Sequence, residues 1–151
     1  MIRPLALLLA LSAPAAAQTL GPCTGGALWW AIPGAAGYGP CESPQEGFFL
    51  LSCGQNTVLL EVESPYEIAE GTPGALTLSV DGRDWRLDGT GTAYPRTGVV
   101  GLGAIAIPRD AIEGLMAGAS ARFDLPTERR DVHLTGSANA IATMLTGCEG
   151  A

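Results

Sequence analysis

The first seventeen residues have the pattern of a secretion signal, and four cysteines follow them. Arg3 supplies a positive charge, Leu5–Leu11 is apolar, and Ala15–Ala17 offers the small side chains at which a signal peptidase cuts. We therefore expect residues 1–17 to be a signal peptide, with cleavage near Ala17 and a mature chain that is periplasmic or secreted. Because that compartment is oxidising, an even number of cysteines predicts a fold that is cross-linked by disulfides.

Four cysteines allow three pairings, and the sequence alone does not choose between them. We favour Cys23–Cys41, which would close the segment before Gly47. We also favour Cys53–Cys148, which would tie a C-terminal helix to an early core strand. Metal binding is the alternative, but the spacings contain no C-x₂-C pair and the lone His133 is distant in sequence. We expect no metal and no cofactor.

The charge of the chain excludes two classes of partner. Arginine supplies all 8 basic residues, against 15 acidic ones, and loss of Arg3 leaves a net charge of −8. Nucleic acids and anionic lipids need clustered positive charge, so neither is an expected partner. No second apolar run approaches the roughly 20 residues of a membrane-spanning helix, so we expect no stable membrane insertion.

Composition divides the remaining chain into two parts of a single domain. Residues 18–46 are rich in Gly, Ala and Pro, which predicts an irregular N-terminal segment. Residues 47–151 are expected to form a β-sandwich-like domain. Phe48–Cys53 reads as a short buried strand, and Thr57–Glu63 alternates apolar and polar side chains with the period of a half-buried strand.

A hairpin is the sharpest local prediction. Ala75–Val80 and Arg83–Leu87 flank Asp81-Gly82, a dipeptide suited to a two-residue turn in which both residues have positive φ. Such a turn fixes the register of the two strands. It places Leu78 opposite Trp85, Leu76 opposite Leu87, and Thr77 opposite Arg86 on the other face.

The rest of the chain alternates turns, strands and short helices. Gly89–Thr97 reads as a turn-rich connection and Val99–Ile107 as a buried strand. A helix is expected after Asp110, with Asp110 and Glu113 as a capping box and Gly118 as its end. Two short strands follow, one with Phe123 and Leu125 and one with Val132 and Leu134. Ser137–Leu145 is expected to be a helix capped by Ser137, with Ile141, Met144, Leu145 and Cys148 on one face.

These elements predict a mainly β protein. We expect an antiparallel β-sandwich or a partly open barrel with two short helices, the second at the C-terminus.

Three stretches carry a resemblance to known families. They are Leu50-Leu51-Ser52-Cys53, the Val80-Asp81-Gly82 turn with Trp85, and Val132–Ser137 followed by Ala140-Ile141 and Cys148. Over roughly residues 47–148 the chain resembles small periplasmic VasI-like proteins, which are accessory to type VI secretion, and more distantly invasion-associated locus B proteins. The resemblance implies a β-sandwich scaffold without established catalysis and a role as a secretion accessory.

The sequence offers few residues in patterns that indicate a catalytic site. His133 is the only imidazole, no G-x-S-x-G elbow accompanies it, and a solvated strand histidine is the better interpretation. Glu61, Glu63, Glu67 and Glu70 could supply a carboxylate pair for glycoside hydrolysis, but Glu61 and Glu63 are expected on the solvent face of one strand, where like charges are simply hydrated. Asp81, Asp84 and Asp88 lack the spacing of a calcium loop. We expect no catalytic residues and no enzyme.

Trp29, Trp30 and Tyr38 are the candidate partner-binding residues, because a Cys23–Cys41 disulfide would hold them in a rigid loop. The alternative is that these rings cover one end of the core. We predict a non-catalytic domain that binds an envelope or secreted protein. The alternatives are an inhibitor of a secreted hydrolase and a small hydrolase that uses His133 or a carboxylate pair.

Overall fold

The computed structural model describes residues 18–63, 68–93 and 100–148, and the predicted signal peptide lies outside these ranges. The strands of this part of the chain are β1 (Thr19–Leu20), β2 (Ala27–Ile32), β3 (Ala35–Pro40), β4 (Phe49–Cys53), β5 (Val58–Glu63), β6 (Pro73–Val80), β7 (Arg83–Ala93), β8 (Val100–Ile107), β9 (Ser120–Asp124) and β10 (Arg129–His133). The helices are α1 (Arg109–Ala117) and α2 (Ser137–Leu145), with a short 3₁₀ turn at Pro44–Glu46.

All ten strands belong to one antiparallel sheet, in the order β1-β2-β3-β4-β5-β8-β7-β6-β9-β10. The sheet curls into a half-barrel, and α2 lies against β2 and β3. The prediction of a mainly β, partly open barrel with a C-terminal second helix is therefore confirmed. No helix within the described ranges combines the length and the apolar character needed to cross a bilayer.

The core lies in the concavity of the curled sheet. The alternation predicted for β5 is observed, since Val58, Leu60 and Val62 are all buried there. Phe49 and Phe123 lie at the centre with ring centroids 5.1 Å apart, and they join the N-terminal strands to the last pair of strands.

The β6–β7 hairpin has the predicted register. Leu78 pairs with Trp85, Leu76 with Leu87, and Thr77 with Arg86. Both turn residues have positive φ, 48° at Asp81 and 87° at Gly82. Local turn chemistry and the hydrophobic pattern agree here, so the sequence determines the pairing.

The prediction of an irregular segment over residues 18–46 is wrong. Three strands, β1 to β3, lie there, and β3 pairs with β4, so the sheet continues through Gly47 without a boundary. Gly37 lies within β3 because the Trp30 ring needs the space that a side chain would fill. A Cβ at position 37 would stand only 2.8 Å from Nε1 of Trp30, which is too close. Tertiary packing thus overrides the turn preference of a glycine-rich composition.

The turn-rich connection predicted for Gly89–Thr97 is also wrong over its described part. β7 continues to Ala93 and pairs with β8 from Thr90 onward. Gly89 again makes space, since a Cβ there would stand 2.4 Å from Cγ1 of Ile105. Residues 94–97 lie outside the described ranges.

Both helices are where they were predicted, but their caps differ. Pro108 is the N-cap of α1. Asp110 instead accepts a hydrogen bond of 3.2 Å from Nε1 of Trp85 and forms an ion pair with Arg83. Gly136 is the N-cap of α2. The buried Ser137 hydroxyl is shared between the carbonyl oxygens of Leu134 and Leu115, at 2.6 and 2.7 Å. Tertiary partners replace the predicted local caps.

Two disulfides cross-link the fold in the favoured pairing. Cys23–Cys41 joins the chain just before β2 to the chain just after β3. Cys53–Cys148 joins the end of β4 to the residue that follows the turn after α2. The described residues contain no free cysteine.

Candidate functional site

The three candidate aromatic residues are parts of the core. Trp29 is 0 % exposed, Trp30 5 % and Tyr38 7 %. The Trp29 ring contacts Tyr38 and Phe49, with centroids 5.8 and 5.4 Å away, while Trp30 lies on the opposite face of β2 over Gly37. The interpretation of these rings as an exposed aromatic surface is therefore wrong. The alternative interpretation, in which the rings cover the core, agrees with their burial.

Trp29 nevertheless makes a contact at the edge of a nearby groove. Its indole N–H donates a hydrogen bond of 2.8 Å to the carbonyl oxygen of His133, the last residue of β10. This contact brings the last strand of the sheet toward the beginning of the second strand and leaves a gap beside it.

The gap is a groove of about 720 Å³ between β10 and the ends of β2, β3, β4 and β5. One side carries the side chains of Arg130, Asp131 and His133. The other side is largely backbone, and its glycines are Gly25, Gly26, Gly39 and Gly47. Glu46, Phe48 and Glu63 complete the lining together with the edge of Tyr38 and with Ala27 and Pro40.

Arg130 is held in place and its charge is compensated. Its guanidinium lies 5.4 Å from the centroid of the Phe48 ring, and its Nε donates a hydrogen bond of 2.8 Å to Oε2 of Glu128. Of the carboxylates that line the groove, neither Glu46 nor Asp131 forms an ion pair with another described residue. The groove therefore presents net negative charge.

His133 is exposed at the edge of this groove. A Cβ on Gly25 would stand 3.3 Å from Nε2 of His133, so the ring lies against the Gly25-Gly26 turn. Ser120 of β9 is directly opposite His133, a placement that sequence reasoning did not identify. The Ser120 hydroxyl donates to Oδ1 of Asp81 at 3.4 Å, and in the described residues it makes no hydrogen bond to the imidazole.

The other candidate carboxylates do not form a shared site. Glu61 and Glu63 are half-buried on β5, and Glu70 is exposed in a turn. Glu67 lies outside the described ranges. Only Glu63 lines the groove.

A second hollow, of about 380 Å³, lies on the outer face of β6, β9 and β10. Asp131 and His133 line both hollows, and this one also carries the carboxylates of Asp81 and Asp84 beside the guanidinium of Arg122. The negative surface therefore continues across β10. Within the described ranges, no group of His, Cys, Asp or Glu side chains could hold a metal ion.

Asp81 has a structural role in this hollow. Its carboxylate accepts hydrogen bonds from the backbone N–H groups of Ala119 and Ser120, at 2.9 and 3.2 Å. These bonds hold the pKa of Asp81 below its usual value, because they favour the charged form.

Sequence reasoning missed the groove because its two sides are more than 60 residues apart in the chain. The only local signal was the Gly25-Gly26 pair beside Cys23, and it gave no indication that β10 would lie across from it. No family model matches the chain, and no match was found among the curated proteins or the solved structures.

Proposed function

We propose that this protein is a non-catalytic binding domain of the periplasm or the extracellular space, and that its acidic groove binds a basic segment of another envelope or secreted protein. The observation that carries the proposal is the charge of the groove. Neither Glu46 nor Asp131 forms a salt bridge within the described residues, although Arg129 lies near enough to Asp131 to attract it, while Arg130 is already paired with Glu128.

The charge of the whole chain supports the same kind of partner. At −7 before any processing, the protein attracts basic partners and repels acidic ones at long range. Opposite charges across an interface raise association rates and select among partners. A role as a secretion accessory, suggested by the resemblance to VasI-like proteins, is compatible with such a partner and stays a prediction.

The disulfides support the proposed compartment. Two disulfides and no free cysteine in the described residues are compatible with an oxidising location outside the cytosol. In this proposal, the signal-like residues 1–17 direct export of the chain out of the cytosol.

Charge removal in the groove tests the proposal. We expect Glu46→Gln with Asp131→Asn to weaken retention of basic envelope proteins by the immobilised domain. Exposed ion pairs contribute about 0.2–1 kcal/mol each, so the double variant should lose about 2- to 30-fold in affinity. Retained proteins are identified by mass spectrometry, and their affinities are then measured with the purified proteins.

A matched control changes two carboxylates away from the groove. Asp88→Asn with Glu113→Gln removes the same charge from β7 and α1, and it should leave retention unchanged. Equal weakening by the two double variants would show that only net charge matters, and undiminished binding by the groove variant would exclude the groove as the site.

A further inference from the structure

β10 is the last strand of the sheet, and one of its edges has no strand beside it among the described residues. Leu134 N–H donates to the carbonyl of Ala119, and Leu125 N–H donates to that of Glu128. Backbone groups alternate in direction along an antiparallel strand, so Arg130 and Val132 direct theirs to β9 as well. Arg129, Asp131 and His133 therefore direct their N–H and C=O groups toward the open edge.

Trp29 occupies one acceptor of this edge, the carbonyl of His133. The N–H and C=O of Asp131 have no hydrogen-bond partner among the described residues. They face the groove, whose far side is built from glycine backbone at positions 25, 26, 39 and 47. The groove thus has one hydrogen-bonding strand edge, and its far wall is largely glycine backbone with a few side chains such as Glu46 and Phe48, which leaves room for a backbone beside Asp131.

We propose that the partner segment binds as an extended strand added antiparallel to the open edge of β10, with a lysine or arginine opposite Asp131. This inference rests on the proposed function and specifies its mode of binding. In such a pair, Asp131 and the residue opposite exchange two backbone hydrogen bonds, and their side chains lie on the same face. A basic residue there gives the favourable cross-strand charge pair.

The same geometry disfavours a second copy of this chain. Two β10 strands that pair antiparallel about Asp131 would place Asp131 directly against Asp131, and like charges in that position are destabilising. An inward or edge charge of this kind is a common way to prevent edge-to-edge association. The favoured occupant is therefore a basic strand from a different protein.

Peptides with single N-methyl groups test the hydrogen bonding. The probe is the labelled, end-capped peptide Val-Lys-Val-Thr, which stops short of the His133 carbonyl that Trp29 occupies, and its binding to the full protein is followed by fluorescence anisotropy. Methylation of the lysine N–H removes the bond to Asp131 C=O and should weaken binding about 2- to 12-fold, or more through the clash of the methyl group. Methylation of the preceding valine, whose N–H points away from β10, should have little effect.

Two variants of the protein test the same bonds from the other side. Asp131→Pro removes an N–H that faces the open edge and leaves the β9 ladder intact, and proline is tolerated at such edge positions. It should abolish peptide binding, whereas Asp131→Asn should weaken it and remove the preference for lysine over glutamate in the peptide. Circular dichroism and thermal unfolding check that the variants fold. If Asp131→Pro does not fold, the methylated peptides alone test whether the peptide binds through backbone hydrogen bonds.

Each other outcome contradicts strand addition in a distinct way. If binding depends on lysine but not on which N–H is methylated, charge alone holds the segment, and the proposed function survives without this mode. If the peptide does not bind, the strand-addition proposal is wrong. The proposed function is then tested separately, by the retention of basic envelope proteins on the Glu46→Gln, Asp131→Asn variant. A dimer of the native protein that Asp131→Pro dissociates would make a second copy the occupant.

Discussion

The carboxylate of Asp81 lies at the tip of the β6–β7 hairpin and receives two N–H groups from the chain that enters β9. Asp81 thus serves twice, since its backbone adopts the positive φ that the turn requires and its side chain fastens the turn to the next strand. The dipeptide predicted the first role. The second depends on residues 38 and 39 positions away, which no local pattern indicates.

The side-chain role of Asp81 makes a pH-dependent prediction. Folding lowers the pKa of Asp81, so the ionised carboxylate stabilises the folded state above the usual value of 3.8, and this stabilisation is lost as the pH falls through the lower folded-state value. Asp81→Asn keeps a residue that tolerates positive φ but removes the charge. We expect its urea midpoint to lie below that of the native protein at pH 7 and the difference to narrow below pH 3.8.

Asp84→Asn is the control, because it neutralises an exposed carboxylate of the same hairpin that accepts neither N–H group. A constant difference between Asp81→Asn and the native protein from pH 7 to pH 3 would contradict the role given to the carboxylate.

At the scale of elements, glycine is the main source of the differences between sequence and structure. The sequence correctly indicated β5, the hairpin and both helices, because their periodicity or turn chemistry is local. It missed β3 and the second half of β7 because glycines within them resemble turns, and it missed β2 because Gly25-Gly26 and Gly34 flank that strand. The glycines within the strands instead leave space for side chains of the neighbouring strand, such as Trp30 over Gly37 and Ile105 against Gly89. Nothing in the local sequence identifies such a partner.

The extension of β7 can be tested at its contact with β8. A Cβ on Gly103 would stand 2.4 Å from Cγ2 of Thr92. We therefore expect Gly103→Ala to lower the free energy of unfolding by about 1–3 kcal/mol through overpacking. Thr92→Ser removes that methyl group, so the double variant should recover most of the loss, as measured by urea unfolding.

Thr77→Ser is the matched control for this pair, since it removes the same methyl group from a half-buried threonine of β6 that is not among the near contacts of a Cβ at position 103. Equal stability of the Gly103→Ala single variant and its combination with Thr92→Ser would mean that the two strands do not meet as described.

At the scale of the whole molecule, the two disulfides constrain very different lengths of chain. Cys23–Cys41 spans 18 residues and Cys53–Cys148 spans 95. In the loop-entropy model, they stabilise the fold by about 3 and about 4.7 kcal/mol respectively. The sequence favoured this pairing from the phases of a strand and a helix. The partnership of Trp29 with His133 could not be anticipated, because it depends on how the whole sheet curls.

Paired serine substitutions measure the two contributions. We expect Cys53→Ser with Cys148→Ser to lower the free energy of unfolding more than Cys23→Ser with Cys41→Ser does, because the longer loop restricts the unfolded chain more. Urea unfolding of both double variants and of the reduced native protein provides the comparison. The reverse order would mean that the short cross-link stabilises the fold by holding the glycine-rich strands rather than by restricting the unfolded chain.

The spacing of the cysteines also sets an order of events during synthesis. In a chain that enters an oxidising compartment N-terminus first, Cys23 and Cys41 are both available before most of the sheet has arrived, because only 18 positions separate them. Cys53 must then wait as the sole remaining thiol until the residue after α2 arrives, 95 positions later. During that interval it can attack the finished Cys23–Cys41 bond by thiol–disulfide exchange. The Cys53–Cys148 disulfide can therefore form only in a chain whose final helix has reached the sheet, so its presence marks a completed fold.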